Sequence, residues 1–303
     1  MPIAAELIAV IVAVTDGVPR ILTLEDCRTL PSGPFETAHR SLQSSLRQWV
    51  EQQTGHPLGY VEQLYTFADR DRTAEGVGRR AISISYLGLT REAGTDTHVH
   101  WRSWYQYFPW EDARGTGPSI LAERITPCLR RWSDAGEDAA TRHDRNSRAA
   151  ITFGLDGRPW NEDLVLQRYV LLYEAELVPE ASAFGIDASM PAPGDAMLHD
   201  HRRILATAIA RLRAKIKYRP VVFELMPPEF TLLQLQRTVE ALAGRHLHKQ
   251  NFRRLIEQQE LVEETGASTA ETGGRPAKLF RFRREVQMER AIAGTKLPLS
   301  RGV

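Results

Sequence analysis

The feature that most constrains the fold is a run of local signals between residues 231 and 285. TLLQLQRTVEALAG (231–244) has the apolar spacing of a helix, opening on a threonine suited to cap it and closing on a glycine suited to end it. HKQNFRRLIEQ follows after a short connection and places Phe252, Leu255 and Ile256 on one helical face. LVEET and GGRPAKLFRFRRE follow. The second stretch alternates, with Leu279, Arg281 and Arg283 on one side and Phe280 and Phe282 on the other, which predicts an edge strand paired back to LVEET. Two helices, a tight turn and a hairpin indicate a winged helix-turn-helix.

The polar face of the second predicted helix is basic. In a helix-turn-helix, the second helix lies in the DNA major groove and its N-terminal residues contact base edges, where Lys and Arg suit guanine and Gln and Asn suit adenine. An arginine at a glycine-rich hairpin tip can enter the minor groove. A solvated charged surface is the alternative interpretation. We predict that these residues contact double-stranded DNA: Lys249, Gln250, Asn251, Arg253, Arg254, Arg275 and Lys278.

The charge distribution favours the same interpretation. The chain of 303 residues has a net charge of only +1. Residues 1–198 carry 19 Lys and Arg against 27 Asp and Glu, whereas residues 199–303 carry 20 against 11. An acidic N-terminal part and a basic C-terminal part suggest two functions, with the basic part facing a polyanion.

Cysteine usage and hydropathy restrict the class of protein. Cys27 and Cys128 form no spacing pattern, which argues against a disulfide framework or a cysteine zinc site. The apolar run LIAVIVAV is too short to span a bilayer. We therefore expect a cytoplasmic protein with no membrane partner.

The front of the chain predicts a mixed domain. LIAVIVAV, an Asp-Gly turn and ILTL form a hairpin signal, and FETAHRSLQSSLRQWVEQQTG has one apolar helical stripe. AISISYLGL predicts a further strand. We expect three later helices, at 119–132, 160–177 and 199–217. They are separated by polar loops around 133–150 and by a Pro/Gly/Ala loop near 181–198.

Four phrases resemble a known family. ARLRAKIKYRP, FTLLQLQRTVEALAG, HKQNFRRLIE and GRPAKLFRF, in this order, resemble the C-terminal region of the Nudix-related transcriptional regulators, the NrtR family. QLYTFADRDR, followed by a strand like AISISYLGL, resembles their N-terminal Nudix domain. The resemblance covers most of 5–110 and 199–285, and the stretch 120–198 looks like an insertion.

The resemblance implies an α/β/α Nudix-like sandwich over 1–217 and a C-terminal winged-helix domain over 218–303. It further implies a repressor of NAD biosynthesis or salvage genes whose Nudix domain senses ADP-ribose or a related nucleotide and needs no cofactor. Because one winged helix reads a short site, we expect a homodimer on a near-palindromic operator in the cytoplasm, associated with the nucleoid.

The Nudix motif decides whether an enzyme is expected. Active members carry Gly-x5-Glu-x7-Arg-Glu-U-x-Glu-Glu-x-Gly, with U bulky and apolar, and their glutamates hold Mg²⁺. With Gly55 as the anchor, a glutamine replaces the arginine, and none of the four glutamates is present. The replacements are Arg40, Gln48, Trp49, Gln52 and Gln53. We therefore predict no catalytic residues. The alternatives are an active Nudix pyrophosphohydrolase acting on ADP-ribose or a similar nucleotide, and a protein–protein adaptor that never touches DNA.

A nucleotide effector still needs partners on the protein. Guanidinium groups suit a diphosphate, and an aromatic ring suits a purine. Arg40, Arg70 and Arg72 are the candidates for the first role and Phe67 for the second, although core packing is the stronger interpretation of Phe67. Three histidine pairs also occur, and each is more often surface histidine than a metal site; they are His98 with His100, His199 with His201, and His246 with His248.

Overall fold

The structure is a computed structural model. It describes residues 4–24, 26–35, 41–55, 58, 60–67, 81–92, 99–115, 119–181, 193–217, 221–270 and 276–283. Its strands are β1 Ala4–Thr15, β2 Val18–Thr23, β3 Ser32–Pro34, β4 Tyr60–Phe67, β5 Ala81–Leu89, β6 His100–Ser103, β7 Val262–Thr269 and β8 Ala277–Phe282. Its helices are α1 Leu42–Thr54, α2 Trp104–Tyr107, α3 Thr126–Asp134, α4 Ala139–Phe153, α5 Val165–Glu174, α6 His201–Ile216, α7 Leu232–Ala243 and α8 Lys249–Gln258.

A mixed sheet organises the first part of the chain, residues 4–217, which we call the sandwich part. The strand order is β4-β5-β1-β2-β6, with β3 also paired to β1. β1 and β2 form the predicted hairpin, with Thr15 opposite Val18 across the turn. β1 and β5 run parallel, and their pairing extends from Ala4 opposite Ala81 to Val12 opposite Leu89.

Alternation along β1 produces the two faces of the sandwich. Leu7, Ala9 and Ile11 pack with α1 residues on one face. The alternate residues Ile8 and Val10 enter a larger core on the other face, where α6 packs. Because successive side chains of a strand point to opposite faces, one apolar strand serves both layers. The predicted α/β/α sandwich is therefore present.

The helices of the sandwich part correct two predictions. The polar loop expected around 133–150 is wrong, because α4 occupies 139–153, capped at its N terminus by Asp138. The helix predicted from Phe35 begins only at Leu42, where the Ser41 side chain caps it. The predicted helices at 160–177 and 199–217 are confirmed as α5 and α6 within shorter bounds. That 120–198 is an insertion stays a prediction.

The second part, residues 221–283, has the predicted winged helix-turn-helix order. Thr231 caps α7 in a reciprocal pair with Gln234, and Gly244 ends the helix with a positive φ of 71°. β7 and β8 form the wing, and a backbone bridge between Phe230 and Phe280 adds a third short strand segment. We call residues 221–283 the winged-helix part. Residues 218–220 lie outside the described residues, so a domain boundary between 217 and 218 stays a prediction.

The two parts share one core. The larger hydrophobic cluster runs from Ile8 on β1, through α5 and α6, to Val239 on α7 and Ile256 on α8. The winged-helix part is thus packed onto the sandwich part rather than tethered to it. Within the described ranges, no helix is both long and apolar enough to cross a bilayer.

Candidate nucleic-acid interface

Helix α8 is divided into an anchoring face and an open face. Phe252 and Ile256 are 1% and 0% exposed and bind the helix to the core, while Leu255 is half-buried. The predicted reading residues are all exposed along the other face; they are Lys249, Gln250, Asn251, Arg253 and Arg254. The spacing of the buried residues therefore leaves the N-terminal basic side chains facing solvent, as DNA reading requires.

The basic residues of α8 and of the wing differ in their partners. Within the described ranges, no carboxylate forms an ion pair with Lys249, Arg253 or Arg254. On the wing, each basic side chain that the structure describes is paired. Lys278 holds both oxygens of Glu264 at 2.8 and 2.9 Å, and similar pairs join Arg281 to Glu263 at 2.6 Å and Arg283 to Glu260 at 2.9 Å.

Pairing changes what the wing can contribute to DNA binding. A phosphate must compete with Glu264 for Lys278. Among the described basic residues of α8 and the wing, those without an ion pair therefore lie on α8. Arg275, predicted at the wing tip, lies outside the described residues. The contacts of all these residues with DNA stay predictions.

The turn between α7 and α8 is fixed by a buried carboxylate. Glu240 accepts hydrogen bonds from the Gln236 amide at 2.8 Å and from the Leu247 backbone N–H at 2.9 Å, and its second oxygen lies 3.4 Å from His246 Nδ1. The Glu240 side chain of α7 thereby binds the backbone N–H of Leu247, just before α8. This bond helps to fix the angle between the two helices.

A buried charge cluster lies beside this turn, inside the sandwich part. The Glu111 carboxylate is fully buried and accepts from Arg168 Nε at 2.5 Å, from Arg168 Nη2 at 2.9 Å and from Arg213 Nη1 at 2.5 Å. Burial lowers the pKa of both arginines and the Glu111 carboxylate raises it; the net shift is downward for Arg168 and upward for Arg213, which Tyr105 also stabilises. Both guanidinium groups remain charged at neutral pH because their ordinary pKa is so high.

A second polar cluster joins β4 to α6. The Lys215 ammonium forms an ion pair with Glu62 and donates to the Tyr60 hydroxyl at 2.7 Å. Near the start of the same helix, the Arg203 guanidinium lies 5.4 Å from the centre of the Phe67 ring. Since β4 ends at Phe67, this strand connects α6 to the segment that carries two of the predicted ligand residues.

The predicted nucleotide-binding residues are only partly described. Arg40, Arg70 and Arg72 lie outside the described residues. Phe67 is 3% exposed and belongs to the core, so its ring presents little surface for stacking in this conformation. The roles of all four residues in ligand binding stay predictions.

Two positions of the predicted degenerate Nudix motif lie on α1, and their side chains contact β3. The Trp49 ring lies against Gly33, and its Nε1 donates to the Pro34 carbonyl at 3.0 Å. The Gln53 amide donates to the Ser32 carbonyl at 2.7 Å. Two side chains at positions where we predict lost metal-binding glutamates therefore hold α1 against β3.

The histidine pairs do not assemble a metal centre in the described residues. No group of three His, Cys, Asp or Glu side chains in the described ranges could hold an ion. His201 Nδ1 accepts from the Leu30 backbone N–H at 2.9 Å, and His246 Nε2 lies 3.0 Å from the Arg114 carbonyl. His98 lies outside the described residues.

Comparison with known proteins assigns the winged-helix part. Residues 222–282 match the model of a family described as the NrtR DNA-binding winged helix domain. This part of the chain is similar to the NrtR DNA-binding winged helix domain. The ADPR responsive transcriptional repressor NtrR of Acinetobacter baylyi is 45% identical over 83 residues, which cover 27% of this chain and 33% of that protein. The matched segment thus spans about a third of the curated relative.

Solved structures extend the comparison to nearly the whole chain. Shewanella oneidensis NrtR, crystallised with a 27mer DNA, matches with a TM-score of 0.57 and 19% identity over 96% of this chain and 99% of that one. A MutT/nudix family protein from Enterococcus faecalis matches with a TM-score of 0.54 and 15% identity over 93% and 87%. At such identities the likeness concerns the fold, and it confirms the prediction of a Nudix-like sandwich followed by a winged helix.

Sequence reasoning missed the buried charge cluster. Glu111 and its two arginine partners are separated by 57 and 102 residues, so no local spacing links them. Charged residues are usually solvated, and each of the three looks like a surface residue in the sequence. Only the tertiary fold brings them together.

Proposed function

We propose that the chain is a transcriptional repressor of NAD biosynthesis or salvage genes. It binds operator DNA through α8 and releases it when ADP-ribose, or a related nucleotide, binds the Nudix-like sandwich. The main evidence is the exposed basic face of α8, which forms no ion pair within the described residues and belongs to a winged helix of the NrtR type. The ADPR-responsive Acinetobacter baylyi repressor, similar over this region, supports the choice of effector. We place the repressor in the cytoplasm, bound to the nucleoid as a homodimer.

The sandwich of this repressor senses its nucleotide and does not hydrolyse it. A carboxylate is the ligand that Mg²⁺ requires, and amides and an indole stand at the motif positions. The bonds of Trp49 and Gln53 to β3 support a structural use of these positions. In the alternative, an active pyrophosphohydrolase would turn over ADP-ribose with Mg²⁺ or Mn²⁺. A turnover above about one per second, an ordinary enzymatic rate, would favour that alternative.

The contacts between β4 and α6 support a path from effector to DNA. Arg70 and Arg72, which we propose to hold the nucleotide, follow Phe67 at the end of β4 closely in the sequence. β4 is tied to α6 by the Lys215–Glu62 ion pair, and α6 carries Arg213 into the charge cluster beside α7. A shift of α6 would change where α8 points. Coupling also requires that ADP-ribose prefer one arrangement over the other.

The test is a titration carried out in both directions. A duplex containing the DNA upstream of the chain's own gene is titrated with protein, with and without saturating ADP-ribose. We expect ADP-ribose to lower DNA affinity at least fivefold, a coupling of about 1 kcal/mol, and the DNA to weaken ADP-ribose binding by the same factor. Unchanged affinity would remove ADP-ribose as the effector. DNA binding without a steep salt dependence would favour the adaptor alternative, because phosphate contacts release counterions.

A further inference from the structure

The C terminus of α7 is capped by another part of the chain. The last carbonyls of a helix have no partner within the helix and need donors from elsewhere. Here the donors come from the sandwich part. The Tyr105 hydroxyl donates to the Ala241 carbonyl at 2.6 Å, and Arg213 Nε donates to the Leu242 carbonyl at 2.9 Å.

The carbonyl of Gly244, just after the end of α7, is bound by the backbone of the sandwich part. The Ala113 backbone N–H donates to the Gly244 carbonyl at 2.7 Å. Gly244 has a positive φ of 71°, and any side chain there would overlap the Glu111 carbonyl oxygen. The end of α7 therefore lies directly against the segment around Glu111, at a distance that only glycine permits.

The two side-chain donors are rigidly held. Tyr105 is 8% exposed, and the Arg213 side chain is fully buried. Arg213 is bound by Glu111 at 2.5 Å and lies 3.4 Å from the Tyr105 hydroxyl, so the two caps support each other. The guanidinium also places a positive charge at the negative end of the α7 dipole, which strengthens the contact.

The turn after α7 is attached to the same surface. His246 Nε2 lies 3.0 Å from the Arg114 carbonyl, and Arg245 forms an ion pair with Glu162 at 3.4 Å. α8 begins at Lys249, only a few residues later. Whatever orients the end of α7 therefore also orients the first residues of α8, where bases would be read.

We propose that Tyr105 and Arg213 are positioning residues for DNA binding. By capping α7 from the sandwich part, they fix the direction of α8 without touching DNA. This inference rests on the proposed function, because a fixed direction matters only if α8 reads DNA. On a near-palindromic site, two recognition helices must keep a set spacing. If the cap is loosened, DNA binding must first order the connection between α7 and α8. This ordering lowers the affinity for DNA.

The chain offers a matched pair of variants. Tyr105→Phe removes one hydroxyl and its bond to Ala241 on α7. Tyr107→Phe removes one hydroxyl from the same short helix and its bond, of 2.5 Å, to the Cys27 carbonyl within the sandwich part. Both tyrosines are buried and both variants keep the ring, so each should fold. Arg213→Ala is avoided because it would leave the buried Glu111 carboxylate without one of its two partners.

Two measurements separate positioning from general stability. At one salt concentration, we expect Tyr105→Phe to bind the upstream duplex about threefold to tenfold more weakly than Tyr107→Phe. Without DNA, hydrogen exchange of the amides in 242–247 should be faster in Tyr105→Phe and unchanged in Tyr107→Phe. Equal DNA affinities for the two variants, or tighter binding by Tyr105→Phe, would overturn the proposal. If the wild type binds no DNA, the proposed function fails, and unchanged exchange in 242–247 would then refute the cap as well.

Discussion

Replacing Glu111 with glutamine should be among the most damaging single-atom changes in this protein. The Glu111 carboxylate is fully buried between two buried guanidinium groups. It accepts three hydrogen bonds, from Arg168 Nε, Arg168 Nη2 and Arg213 Nη1. Glutamine has nearly the same shape, so Glu111→Gln tests the charge and the acceptors rather than the packing.

The magnitude follows from what the substitution leaves behind. One carboxylate oxygen becomes an NH₂ group that faces donors, and two buried cations lose the carboxylate that binds both of them. Breaking a buried ion pair by removing one partner costs about 3–5 kcal/mol, because the remaining charge is uncompensated. We therefore expect Glu111→Gln to lower the free energy of unfolding by about 3–5 kcal/mol.

Glu174 provides the matched control. It forms a two-point ion pair with Arg148 across α4 and α5, but both side chains are about 40% exposed. Exposed pairs contribute about 0.2–1 kcal/mol, so Glu174→Gln should be nearly neutral. Urea unfolding followed by circular dichroism compares the two variants. A loss for Glu111→Gln no larger than that for Glu174→Gln would refute the buried cluster as we describe it.

Two further predictions concern DNA binding and pH. Arg253→Ala should weaken DNA binding by about 1–3 kcal/mol. Lys278→Ala should weaken it by clearly less, because Glu264 already pairs with Lys278. Fluorescence anisotropy measures both affinities, and equal losses would contradict the assignment of the DNA-binding charge to α8. Burial raises the pKa of Glu162, but its backbone hydrogen bond and the charges of Arg245 and Lys217 lower it by more, to below its ordinary 4.5. A lowered carboxyl pKa gives stability that is present above 4.5 and lost as pH falls through the folded value. Urea unfolding at several acidic pH values should show this loss, and Glu162→Gln should reduce it.

The winged-helix part could be predicted because its signals are local. A capping threonine, a terminal glycine and the helical spacing of Phe252 and Ile256 lie within a few residues of the structures they specify. The alternation in β8 likewise fixed its pairing with β7. Such signals act through neighbouring backbone and one buried face, so they need no knowledge of the rest of the fold.

Helix α4 could not be predicted from apolar spacing. Its sequence AATRHDRNSRAAITF is polar over most of its length, and its buried residues cluster in the last turn or so; they are Ala149, Ala150, Thr152 and Phe153. A helix that buries only its end carries no continuous apolar stripe, which is the signal used to detect amphipathic helices. Its Asp138 cap was the available local clue.

The roles of individual residues in the sandwich part were harder still to predict. The motif at Gly55 correctly located α1, but not the use of Trp49 and Gln53 as donors to β3. Comparing this sequence with the Nudix motif predicts which metal ligands are lost. It does not predict what the side chains at those positions contact. Phe67 illustrates the same limit, since an aromatic residue at the end of a strand suits a core and can also suit a purine site.

The chemistry of the buried cluster bears on what it is for. Apolar residues of similar volume often stabilise a protein as well as a buried ion pair does. What a leucine at 213 would lack is direction, because a guanidinium presents its donors in a rigid plane. Arg213 uses that plane to bind Glu111 on one side and the Leu242 carbonyl of α7 on the other. We infer that the cluster specifies the orientation of α7. A shift of α6 caused by a bound nucleotide would then be transmitted to α8 through the Arg213 guanidinium.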